Sequence, residues 1–89
     1  MAIFLVERQF AEMLDVTAAM ADGVNRINAD DDVRWLYSFL SADKRKTYCL
    51  YEAPSAEAIR RAAGRAGMPA DAVTEVTGRI LPDGSMAGI

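Results

Sequence analysis

Residues 33–52, VRWLYSFLSADKRKTYCLYE, hold two strands joined by a polar turn, and their reading decides the fold. Val33–Leu40 is rich in aromatic and branched residues, the composition of a strand. Its alternation sets Trp35, Tyr37 and Phe39 on one face and Arg34, Leu36, Ser38 and Leu40 on the other. Ser41–Lys46 supplies the turn, and Thr47–Glu52 returns as the partner strand of a hairpin. In it, Tyr48, Leu50 and Glu52 face one way, and Cys49 and Tyr51 the other.

Working outward, each side of the hairpin carries a helix and then a strand. Upstream, Val16, Met20, Val24 and Ile27 recur on one helical face, and Thr17 stands where an N-cap hydroxyl belongs. Gly23 weakens that helix slightly, and Gln9–Val16 is a transition before it. Downstream, Pro54 stops the strand and Ser55 caps a helix whose inner face is Ile59, Ala62, Ala63 and Ala66. Arg60, Arg61 and Arg65 fall on its solvent side, and Gly67 followed by Pro69 ends it. Ile3–Arg8 is the first strand, with Phe4, Val6 and Arg8 on one face and Ile3, Leu5 and Glu7 on the other. Asp71–Ile80 holds the last strand, anchored by Val73, Val76 and Ile80.

The order is β-α-β-β-α-β, an α+β ferredoxin-like sandwich with both helices on one face of an antiparallel sheet. A single domain is expected over residues 3–82, with a flexible C-terminal tail over 83–89. Because the first three strands are apolar on both faces, the uncovered face needs a partner. Two sheets packed face to face would make a homodimer, a dimeric α+β barrel enclosing a cavity. An 89-residue chain buries proportionally little surface alone, and 52% hydrophobic residues leave some for a second subunit.

Composition excludes several chemistries. The net charge is -3, which argues against a phosphate-backbone binder, so no nucleic-acid partner is expected. Lys44-Arg45-Lys46 reads as a solvated hairpin tip, and Asp30-Asp31-Asp32 as a solvated loop without the alternating ligands and glycine turn of a calcium site. No apolar run is long enough to span a bilayer and no signal peptide opens the chain, so no membrane is expected and the cytoplasm is the default location. Histidine is absent, which removes Ser-His-Asp and Cys-His systems and imidazole ligands. One cysteine, Cys49, excludes an intrachain disulfide.

Four pieces carry a family resemblance: Phe4–Arg8, Val33–Ser38, Tyr48–Ser55 and Ala66–Asp71. In this order they resemble the family called domain of unknown function 4242, whose members are often labelled nickel-binding proteins. The resemblance runs from about Ile3 to Pro82 and is most specific over Tyr48–Ser55. It implies a ferredoxin-like fold, a dimer with facing sheets, and nickel as a bound metal. Cys49, Ser38 and Glu7 match the family pattern, whereas Tyr37 stands where members commonly have histidine.

The residues offer three kinds of site. Cys49 is either a small buried hydrophobe or a thiolate, and a thiolate ligand or nucleophile would take its positive neighbour from Arg8 or Arg34. Glu7, with Cys49, is the metal-ligand candidate; one cysteine per chain would need doubling across a dimer axis. Glu7 is also the candidate general base of a cofactor-free isomerase, cyclase or monooxygenase, with Tyr51 or Arg34 as oxyanion partner. Glu52 is a second carboxylate at a strand end. Trp35, Tyr37, Ser38 and Tyr48 would line a pocket for a small hydrophobic molecule in the inter-sheet cavity, the site of an enzyme or of a non-catalytic ligand-binding or interaction module.

Overall fold

The computed structural model describes residues 1–89. It has strands β1 (Ala2–Gln9), β2 (Arg34–Leu40), β3 (Lys46–Ala53), β4 (Ala72–Val76), β5 (Arg79–Ile80) and β6 (Met86–Ala87), with helices α1 (Ala18–Asp30) and α2 (Ala56–Ala66). The first four strands form an antiparallel sheet in the order β2-β3-β1-β4. The α+β ferredoxin-like class expected from the sequence is therefore what the chain adopts.

Both helices begin as their sequences dictate. Thr17 Oγ1 accepts from the Met20 amide at 3.2 Å, and Ser55 Oγ accepts from the Ala58 amide at 3.1 Å. Gly67 ends α2 in the left-handed region at φ 68, a conformation that costs a residue with a Cβ roughly 1 kcal/mol or more. The Met68 amide then bonds back to the Ala63 carbonyl at 2.9 Å, turning the chain toward the sheet.

The core lies on the helix side of the sheet. Phe4, Val6, Cys49, Tyr51 and Ala53 project from β1 and β3 onto Ala58, Ile59 and Ala62 of α2. The small residues of α2 let it lie close, and four of its side chains are buried. Helix α1 buries only Asn28 fully. The two helices are clamped at their ends: Arg65 reaches Asp30 at 3.3 Å, Asp31 at 3.5 Å and the Ile27 carbonyl at 2.8 Å, and Arg61 reaches Asp31 at 3.4 Å. Asp31, expected in a solvated loop, is thus a largely covered inter-helix joint, while Asp30, Arg61 and Arg65 keep the exposure expected of them.

Three further details depart from the sequence reading. The last strand of the main sheet stops at Val76 rather than Ile80. Residues 83–89, expected as a tail, include β6, which pairs with β5. The turn between them is local chemistry: Asp83 accepts from the Ser85 amide at 2.9 Å, and Gly84 supplies φ 84. The third departure is in β2. A β-bulge between Trp35 and Tyr37 leaves Leu36 without a partner, with Trp35 opposite Tyr51 and Tyr37 opposite Leu50. Beyond the bulge every side chain changes face. Trp35 therefore joins Ser38 and Leu40 on the helix side, and Tyr37 and Phe39 go to the other.

Candidate functional site

The bulge and the loose seating of α1 together open a cavity of about 210 Å³ between that helix and the sheet. The underside of α1 supplies Met20, Ala21 and Val24. Phe10, Leu14 and Val16 close it from the segment before the helix. That segment is tied to the hairpin tip, where the carbonyls of Arg45 and Lys44 accept from the amides of Phe10 at 2.8 Å and Leu14 at 2.7 Å. The run Lys44-Arg45-Lys46 therefore anchors one wall through its backbone. Met68 enters from the turn after α2.

The floor, from β1, β2 and β3, is where the polar groups gather. Arg8 is only 3% exposed and lines the cavity. Its guanidinium donates to the Pro69 carbonyl and to Tyr51 Oη, the latter at 3.2 Å, and lies 5.6 Å from the Tyr51 ring centroid. Its Nε is buried with no acceptor. Burial is the main force on Tyr51, whose phenol is pushed above its ordinary pKa despite the neighbouring cation. The phenol is therefore a neutral hydroxyl. Because it accepts from Arg8, its own proton is there to donate, to a ligand or to the neighbouring Cys49. Trp35 Nε1 donates to Ser38 Oγ at 2.8 Å, and Cys49 Sγ lies 3.4 Å from Thr47 Oγ1.

The residues singled out in the sequence divide between two faces. Trp35, Ser38, Cys49 and Tyr51 meet around the helix-side cavity. Glu7, Tyr37 and Tyr48 do not reach it. Glu7 is opposite Tyr48 on the open face, and its carboxylate pairs with Lys46 at 3.3 Å. Hydrogen bonding to the Glu7 carboxylate and then to the Tyr48 hydroxyl holds the lysine above its ordinary pKa, and the Tyr48 ring centroid lies 4.9 Å from Lys46 Nζ. Arg34 sits beside Glu52, 3.8 Å away, at the outer edge of the same face. Glu7 and Cys49 thus lie on opposite sides of one sheet, because side chains alternate along β1 and β3. Within one chain they cannot share an ion, and Glu7 cannot act with Tyr51 on one substrate.

Arg8, named from the sequence only as a positive neighbour for Cys49, is the central polar group of the floor, in line with Phe4 and Val6 on an apolar stripe. Thr47 and Met68 carried no comparable mark.

A nickel ion is poorly matched by these donors. The structure contains no group of three or more histidine, cysteine, aspartate or glutamate side chains placed to hold a metal. The cavity's one thiolate source, Cys49, shares it with a buried guanidinium, whose charge opposes a cation. Carboxylates and imidazoles are both missing from the lining. No helix of the chain is long and apolar enough to cross a membrane.

Comparison with known proteins places these features. No curated protein matches the chain. The crystal structure of SCO4226 from Streptomyces coelicolor A3(2) is similar, with a TM-score of 0.65 and 28% sequence identity over 84% of this chain and 95% of that one. Residues 4–76 match the model of the nickel responsive protein SCO4226-like family, a span that takes in both helices and all of the four-stranded sheet except Ala2 and Ile3 of β1. The chain belongs to the SCO4226-like family of nickel responsive proteins.

Proposed function

We propose that this chain is a small-molecule-binding member of its family, working as a homodimer through the open sheet face, with the cavity beneath α1 as the ligand site. The observation that carries the reading is the cavity: about 210 Å³, walled mainly by apolar side chains, with a few polar groups gathered on its floor. It exceeds the ~150 Å³ that accepts benzene in an engineered core. Binding rather than acid–base turnover suits it, since its lining offers neither carboxylate nor imidazole and burial pushes the Tyr51 phenol away from the range of a working base.

The test uses the single tryptophan, Trp35, which lines the cavity. Titrating 1-octanol into the full chain should change Trp35 emission saturably, at one molecule per chain. At ten times its Kd the alcohol should stabilise the fold by ~1.4 kcal/mol. An unsaturable response, with no rise in the unfolding midpoint, retires the cavity as a site.

The family's name supports a second reading, direct nickel binding. Of the donors singled out in the sequence, Cys49 shares its cavity with Arg8, and Glu7 and Glu52 are already paired with Lys46 and Arg34. Calorimetric titration of nickel into untagged protein should therefore show no one-to-one site, and Cys49→Ala should leave the isotherm unchanged. Stoichiometric uptake that disappears in Cys49→Ala would establish the metal reading instead.

A further inference from the structure

The cavity reading leaves one group without a purpose, the Arg8 guanidinium. It is almost wholly buried, yet no aspartate or glutamate pairs with it, and none lines the cavity. A buried cation normally has a paired anion, because loss of hydration is otherwise uncompensated. Here its partners are neutral, the Pro69 carbonyl and the Tyr51 hydroxyl, and its Nε–H has none.

The other floor groups agree in sign. Tyr51 accepts from Arg8 and keeps a proton to give. Ser38 accepts from Trp35 and likewise keeps a proton to give. The floor therefore offers hydrogen-bond donors and one fixed positive charge, under walls that are apolar. Arginine matches a carboxylate better than a point cation does, because its N–H groups form a planar fork. Pro69 holds that fork in place, and its own position follows from the Gly67 turn that ends α2.

We infer that the cavity takes a small apolar monocarboxylate, its hydrocarbon body beneath α1 and its carboxylate on Arg8, with Tyr51 and Ser38 as neutral donors. The inference rests on the cavity being a ligand site and adds the class of ligand.

The experiment compares octanoate with 1-octanol by Trp35 emission on the full chain. Octanoate should bind at least about tenfold more tightly, the range expected of a hydrogen bond to a charged group. In Arg8→Gln the ratio should fall to near one while octanol binding persists. Arg8→Lys, which keeps the charge without the fork, should retain part of the preference and guards against a folding defect in the glutamine variant. Octanol binding as tightly as octanoate overturns the carboxylate assignment and leaves the cavity reading standing. Inorganic phosphate displacing octanoate at equal concentration also overturns it, since the apolar body would then contribute nothing. Absence of binding by either octyl compound overturns both readings together.

Discussion

Ile59→Ala should destabilise the fold by about 2–5 kcal/mol and lower the thermal midpoint by ~10 °C or more. Ile59 is 1% exposed and is one of the two largest fully buried side chains, with Val6. Its neighbours include Ala58 and Ala62, too small to close over the space that a truncation leaves. A domain of this size has a total stability on the order of 5–15 kcal/mol, so the loss is a large fraction of the whole. The consequence extends to the site. Helix α2 delivers Gly67, Met68 and Pro69, and Pro69 holds Arg8. A looser α2 should weaken octanoate binding more than octanol binding, because only the acid uses the fixed guanidinium. Urea unfolding followed by circular dichroism gives the stability. A loss below ~1 kcal/mol would mean that the site collapses around alanine and that α2 is held mainly elsewhere.

The topology was legible because it depends on features that single residues signal. Thr17, Ser55, Gly67 and Pro54 mark element ends, and the two-residue alternation of Ile3–Arg8 and Thr47–Glu52 sorted their faces as the structure has them. The site was less legible for one physical reason. A bulge at Leu36 has no glycine or proline to announce it, yet it exchanges the faces of everything beyond it in β2. Strict alternation therefore grouped Trp35 with Tyr37 and Phe39, and set Ser38 apart from Trp35, to which it is hydrogen-bonded. The cavity expected from the sequence belongs between the facing sheets of two chains; the one within a single chain lies beneath α1, whose seating depends on packing that periodicity does not reveal. Arg8 illustrates the same limit from the other side. Its face was readable, but the absence of a carboxylate partner is a property of the assembled core.

The face left open by this arrangement underlies the last prediction, that Leu50→Arg should turn the proposed homodimer into a monomer. Tyr37 is 50% exposed, Phe39 62%, and the two rings meet edge-on at 5.7 Å between centroids. Leu50 stands mid-strand in β3, an interior strand, flanked by Tyr37 of β2 and Leu5 of β1. The apolar area is bounded by ion pairs of both signs, Lys46–Glu7 and Arg34–Glu52. A patch that carries both charges can meet its own copy about a two-fold axis. Wild-type protein should sediment at twice the 9.7 kDa of the chain. In a two-fold interface the arginine is introduced twice, and each unpaired buried ion costs several kcal/mol, so dimer dissociation should strengthen by at least about 1,000-fold. Ala29→Arg, on an exposed helix position, should leave the mass unchanged. Wild-type protein found at 9.7 kDa across the micromolar range would remove the dimer altogether. Because Leu50 and the cavity lie on opposite faces of the sheet, the monomeric variant should still bind octanol at one per chain. Loss of octanol binding along with the dimer would instead mean that the partner subunit holds the floor of the cavity in shape, and the two faces would then be one functional unit.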